Sequence, residues 1–156
     1  MNGPKILLVV SDKTRRPAFA GTLKALGCQV LTTITAENAL AALEGFCPNV
    51  ILADMDLEDM KSSNFLKKIK ENAKCKGMEI VSYTRLLNYK LTNPELLTQP
   101  EQKTEDSVQA LEILRENVAL VPGEIILWVG EALTKQNMEI PPLLTAAILI
   151  LRKPKA

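Results

Sequence analysis

The sequence predicts an α/β domain built on a doubly wound parallel sheet of five strands. Short, unbroken aliphatic runs suit strands buried on both faces of a parallel sheet, and segments of helical period alternate with them. Polar residues gather directly after the carboxyl ends of those runs, where ligands sit in such sheets. A length of 156 residues fits one domain, spanning 1–156, with a single core.

The first strand is the run Ile6 to Val10, closed by Ser11, Asp12 and Lys13. Ala18, Phe19, Thr22, Leu23 and Leu26 then recur at helical spacing and stop at Gly27, a helix C-cap, with Pro17 tolerated in the first turn. Val30 to Thr33 forms the second strand, and a helix opens near Thr35 with Ala39, Leu40 and Leu43 inward. Pro48 introduces the third strand, Val50 to Ala53, which ends in Asp54. Ser62 or Ser63 caps the next helix, whose apolar stripe is Phe65, Leu66 and Ile69, while Lys67, Lys68 and Lys70 form its solvated face. The fourth strand covers Glu79 to Thr84. Strand and helix alternate this far as right-handed crossovers require.

After Thr84 the pattern loosens. Residues 86–104, with Pro94 and Pro100, read as a long connection. A helix resumes near Glu105, with Val108, Leu111, Leu114 and Val118 on one stripe. Pro122 to Lys135 reads as a helix, with Ile125 to Val129 alternatively a strand and Trp128 a packing residue. Pro141 and Pro142 lead to Ala147–Leu151, read as the fifth strand.

Composition narrows the chemistry. Nineteen Lys and Arg balance eighteen Asp and Glu, so no nucleic-acid partner or membrane surface is indicated, and no apolar stretch approaches the ~20 residues of a membrane span. Histidine is absent, which excludes Ser-His and Cys-His catalysis and histidine-based zinc sites within this chain. Cys28, Cys47 and Cys75 form no CxxC pattern, so neither a disulfide framework nor a zinc site is expected, and a cytoplasmic location fits. The start of the chain reads as a first strand, not a signal peptide. What remains is a strand-end cluster of carboxylates, a hydroxyl and a lysine: Asp12, Asp54, Asp56, Thr84 and Lys153. Magnesium-assisted transfer of a phosphoryl group to an aspartate requires such a set, because the metal takes oxygen ligands while lysine and hydroxyl hold phosphoryl oxygens.

On these residues the chain resembles the response-regulator receiver family. The resemblance rests on Lys5 to Val9, the helix from Ala39 to Leu43, Pro48 to Met55, the strand ending at Thr84, and Lys153-Pro154; residues 5–84 match almost without gaps. It implies a flavodoxin-like sheet in the order 2-1-3-4-5. It further implies Asp54 as phosphoacceptor, Thr84 as switch hydroxyl, Lys153 as phosphate-binding lysine, and Mg2+ held by Asp12, Asp54 and the backbone carbonyl of Asp56.

The departures from the family pattern are specific. Val10 and Ser11 stand where receivers carry an acidic pair; a local bulge would bring Asp12 back to the metal, whereas Asp12 as a helix N-cap would not. Glu58 replaces the usual proline after the phosphoacceptor, Lys61-Ser62 replaces an Asp-Gly or Asn-Gly step, and Ile150 fills the aromatic switch position. Residues 85–146 are a rebuilt, partly helical insertion, far longer than the ~4–6 residues common in connections. No normal fifth helix follows Lys153, so the chain is expected to be a fragment of a longer protein, or else to cover that face with the inserted helices.

The function implied is a non-enzymatic regulatory module of two-component or phosphorelay signalling. Its partner would be a sensor kinase or phosphotransfer protein, with a private protein surface at 85–146. The alternative is a pseudo-receiver that binds partners without phosphorylation. A small flavodoxin-like enzyme or nucleotide binder is disfavoured because no Gly-rich loop follows the first strand.

Overall fold

The computed structural model describes residues 3–54, 59–72, 75, 77–83, 104–117, 121 and 123–152. Their elements run β1 (Lys5–Val9), α1 (Arg15–Ala25), β2 (Gln29–Thr33), α2 (Ala36–Ala42), β3 (Val50–Asp54), α3 (Ser62–Glu71), β4 (Glu79–Tyr83), α4 (Glu105–Asn117), α5 (Gly123–Lys135) and α6 (Pro142–Leu151). The strands form one parallel sheet in the order β2-β1-β3-β4. Parallel neighbours need crossovers, and α1, α2 and α3 supply them.

Each strand sends alternate side chains to opposite faces, and the two faces have different cores. On one face Ile6, Leu8, Val50 and Leu52 pack with Phe19 and Leu23 of α1 and with the buried stripes of α4, α5 and α6. On the other, Leu7, Val9, Ile51 and Ala53 pack with Ala39 of α2 and with Phe65 and Ile69 of α3. Every side chain of β3 is buried, which is why its sequence reads as a continuous apolar run up to Asp54.

Local signals bound several elements. Gly27 follows α1 with φ 103°, a left-handed conformation that glycine adopts without penalty. A Cβ there would also lie 2.7 Å from Cβ of Pro141, so Gly27 lets the α6 entry approach the base of the sheet. Thr35 caps α2, its Oγ1 accepting the Asn38 N–H at 3.1 Å. Lys61 occupies the α3 N-cap without a side-chain hydrogen bond, so that helix is not begun by a serine cap. Thr104 and Ser107 bond reciprocally through side chain and backbone at the start of α4, a capping box.

The expected fifth strand is a helix. Residues Ala147–Leu151 lie inside α6, so the described residues contain four strands, and Ile150 is a buried helical residue rather than a switch position on a strand. A short apolar run does not distinguish a buried strand from a buried helix by periodicity. Pro142 at N1 suits a helix start, and Ala146 and Ala147 favour its continuation. The alternative strand at Ile125 to Val129 is likewise helix α5. All three later helices join the α1 face of the sheet.

A second correction concerns the cysteines. Cys47, just before β3, and Cys75, just before β4, form a disulfide across a sequence separation of 28. Neighbouring parallel strands begin at the same end of the sheet, and that juxtaposition brings the two residues together although no spacing motif announces them.

Candidate functional site

Reversal of strand order about β1 opens a crevice between the carboxyl ends of β1 and β3, the ligand-binding position of doubly wound sheets. Val9 pairs in register with Ala53, so Asp54 ends β3 beside the chain leaving β1. The Asp54 side chain is 1% exposed, and Ser11 Oγ lies 3.4 Å from its Oδ2, a long contact for a hydroxyl hydrogen bond. Val10, in one of the two positions the family keeps acidic, is fully buried in the α1-side core. Its N–H donates to Thr33 O at 3.1 Å and its carbonyl accepts from Arg16 Nη1 at 3.1 Å, which fixes the backbone leading into the crevice.

Asp12 adopts the capping role. Its Oδ1 accepts the N–H groups of Thr14 at 2.8 Å and Arg15 at 2.9 Å, and its carbonyl accepts the Arg16 N–H at 3.0 Å. One carboxylate oxygen therefore satisfies amides that the first turn of α1 leaves without intrahelical partners. Asp56, Thr84 and Lys153 lie outside the described residues, as do all of residues 85–103. The strand that was to carry Lys153 is α6, which removes the strand alignment on which its role rested.

Among the described residues, the donors in the crevice do not by themselves make up a receiver-type magnesium site. Mg2+ requires near-octahedral oxygen coordination and normally uses carboxylates. Among the described residues no three acidic or other metal-ligating side chains are grouped to hold an ion. The described crevice offers Asp54 and the Ser11 hydroxyl, while an oxygen of Asp12 is directed to the α1 amides.

Asp59, shortly before α3, makes a contact that no local motif announces. Its Oδ1 and Oδ2 accept the N–H groups of Ala36 at 3.1 Å and Glu37 at 3.0 Å. Asp59 is thereby tied to the N-terminus of α2, beside the Thr35 cap. Desolvation disfavours the Asp59 charge, but hydrogen bonds from the amides of Glu37, Ala36 and Asp59 itself outweigh it and hold the carboxyl below its ordinary range. Residues 23 apart in sequence give no local pattern by which this cap could have been found.

Along β4 the surface is grooved on both faces. A groove of about 780 Å³ runs between α3 and β4, with Leu66, Ile69, Cys75, Met78 and Ile80 in its walls. A smaller one of about 230 Å³ lies between β4 and α5, bordered by Trp128, Glu131 and Lys135. Among the described residues, α4, α5 and α6 pack on the opposite face of the sheet from the larger groove.

No family model matches the chain. It is 29% identical over 80 residues to Protein PilG of Pseudomonas aeruginosa, a match covering 51% of this chain and 59% of that protein. The chain thus spans less than two thirds of the length of this curated relative. The chemotaxis response regulator CheY4 of Vibrio cholerae matches at 25% identity and a TM-score of 0.50, covering 52% of this chain and 68% of that one. A response regulator receiver domain protein from Clostridium thermocellum aligns over 86% of this chain and 97% of its own, with 16% identity and a TM-score of 0.57. A response regulator from Chloroflexus aurantiacus aligns over 85% and 99%, with 16% identity and a TM-score of 0.58. The last two likenesses bear on fold alone: the chain is similar in fold to response-regulator receiver domains, and in sequence to PilG and CheY4.

Proposed function

We propose that this chain is a receiver-type regulatory module of two-component signalling that engages protein partners without phosphoryl transfer. Asp54 then serves as a buried carboxylate of the crevice. The observation that carries this reading is the engagement of Asp12: its Oδ1 caps α1, and the Ser11 hydroxyl lies 3.4 Å from Asp54 where the family pattern calls for acid. Without those acids the described part of the crevice lacks negative charge to attract Mg2+, the ion that would neutralise an incoming phosphate. Partner recognition falls to surfaces that the family pattern does not supply, above all the helices from α4 onward. In this reading the partner is a protein of the same signalling pathway, a sensor kinase or phosphotransfer protein included.

A second reading keeps Asp54 as phosphoacceptor. Its position at the carboxyl end of β3, in the β1/β3 crevice, favours that role. Magnesium titration by calorimetry, with Trp128 fluorescence in parallel, followed by a small-molecule phosphodonor and intact-mass measurement, separates the two. The first reading expects no saturable magnesium binding and no phosphoryl adduct. An adduct that disappears in Asp54→Asn establishes the second.

A further inference from the structure

We propose that the Cys47–Cys75 pair is a reversible thiol–disulfide exchange site whose reagents are small thiols of the glutathione class and their disulfides. The inference is independent of the role of Asp54, which lies at the other end of β3.

The two cysteines have different exposure. Cys47 is exposed in the connection between α2 and β3, whereas Cys75 is 4% exposed and forms part of the wall of the large groove beside β4. An external thiolate therefore attacks Cys47 Sγ. The Cys47–Cys75 bond breaks, a mixed disulfide forms between reagent and Cys47, and Cys75 leaves as a thiolate that takes up a proton. A second reagent thiolate then attacks the reagent sulfur of the mixed disulfide. It releases Cys47 as a thiolate, which is protonated in turn, and forms the reagent's own disulfide. The net change is one protein disulfide and two thiols converted to two protein thiols and one small disulfide; closure is the reverse.

Both states have a place in the fold. Cys75 Sγ lies 3.4 Å from the carbonyl oxygen of Leu43 at the end of α2. A disulfide sulfur carries no proton and makes only a contact there, but the thiol would donate an S–H hydrogen bond to that oxygen. The reduced sulfur is thus not stranded when the bond opens. The Cα atoms are 5.2 Å apart in the closed state, within the ordinary span of a disulfide. Competition from the third cysteine is suppressed: Cys28 is buried, and burial pushes its thiol up to about 12, leaving almost no thiolate at neutral pH. Opening the bond frees the two connections from each other and loosens the end of the groove at Cys75.

The test equilibrates the full chain in anaerobic glutathione buffers ranging from fully reduced to fully oxidised, followed by acid quench, alkylation and peptide mass spectrometry. The expected result is a reversible transition within that range between a cross-linked Cys47/Cys75 peptide pair and two alkylated peptides, with the mixed disulfide trapped on Cys47. Cys28 stays unlabelled until the chain is unfolded. Reduction should lower Tm by roughly 5–15 °C. It should also speed hydrogen exchange severalfold in the peptide carrying Cys75 and the start of β4, leaving β1 unchanged. In Cys47→Ser, altered at an exposed position, that peptide should exchange at the reduced rate in every buffer. A bond that persists in fully reduced buffer, a bond that never forms in oxidised buffer, or a buffer-dependent exchange rate retained by Cys47→Ser would each overturn the proposal.

Discussion

Ser11 Oγ and Asp54 Oδ2 lie 3.4 Å apart across the crevice between β1 and β3. A hydroxyl in that place adds no charge to a carboxylate that is 1% exposed. Ser11→Asp should therefore convert a tolerated contact into a like-charge pair, destabilising the fold by on the order of 1–3 kcal/mol in chelator at neutral pH after relaxation. Millimolar Mg2+ should recover most of that loss, because the added acid supplies the second carboxylate a divalent ion needs. Urea melts of the variant with and without Mg2+ check this; equal midpoints would show that more than the missing acid separates the crevice from a metal site.

The Asp59 cap predicts an acid-side dependence of stability. Its folded carboxyl titrates below the unfolded value, so its contribution is present above the unfolded value and is lost as pH falls through the folded one. Asp59→Ala should cost about 1 kcal/mol at pH 7, the usual worth of an N-cap, and the difference from wild type should shrink towards strongly acidic pH. Chemical denaturation of both proteins from pH 7 downward measures it. A constant difference across that range would argue that the loop is held by something other than the charged cap.

Gly27→Ala should destabilise by more than about 1 kcal/mol. The substitution places a side chain at φ 103° and sets its Cβ 2.7 Å from Cβ of Pro141. Pro141 is rigid and begins α6, so relief requires that helix to shift at the base of the sheet. Loss of Tm together with faster hydrogen exchange in α6 is the expected signature.

Gly130 is the point of close approach between α5 and α6, where an added Cβ would overlap Ile148 Cδ1. Gly130→Leu should cost roughly 1–3 kcal/mol through overpacking, despite better helix propensity. Ile148→Ala vacates that space, so the double variant should be more stable than the sum of the single effects predicts. A double-mutant cycle by urea denaturation reads the coupling, which should be at least about 0.5 kcal/mol.

Cys28 predicts the alkaline limb. Its folded thiol titrates near 12, above the ordinary thiol value, so its contribution is fully present below that ordinary value and is lost as pH rises through the folded one. Cys28→Ala should be less stable than wild type at pH 7 through lost packing, and should lose less further stability between about pH 8.5 and 10.5. Parallel slopes for the two proteins over that interval would disprove the buried-thiol account.

The sequence by itself determined the elements governed by local rules. The apolar runs of β1 and β3, the Gly27 stop and the Thr35 start were legible because buried parallel strands, left-handed C-caps and N-caps each demand particular residues in consecutive positions. The crevice was legible for the same reason, since Asp54 ends a fully buried strand. Tertiary structure decided what local rules leave degenerate. Ala147–Leu151 satisfies strand and helix alike, and packing with α4 and α5 on the α1 face resolved it as helix. Asp12 satisfies cap and ligand alike, and the geometry of the α1 amides claimed one of its oxygens. The Asp59 cap on α2 and the Cys47–Cys75 bond join residues that only the parallel order of the sheet makes neighbours. A contact between distant positions leaves no periodic trace in the chain, because its energy depends on where the crossovers bring two segments together.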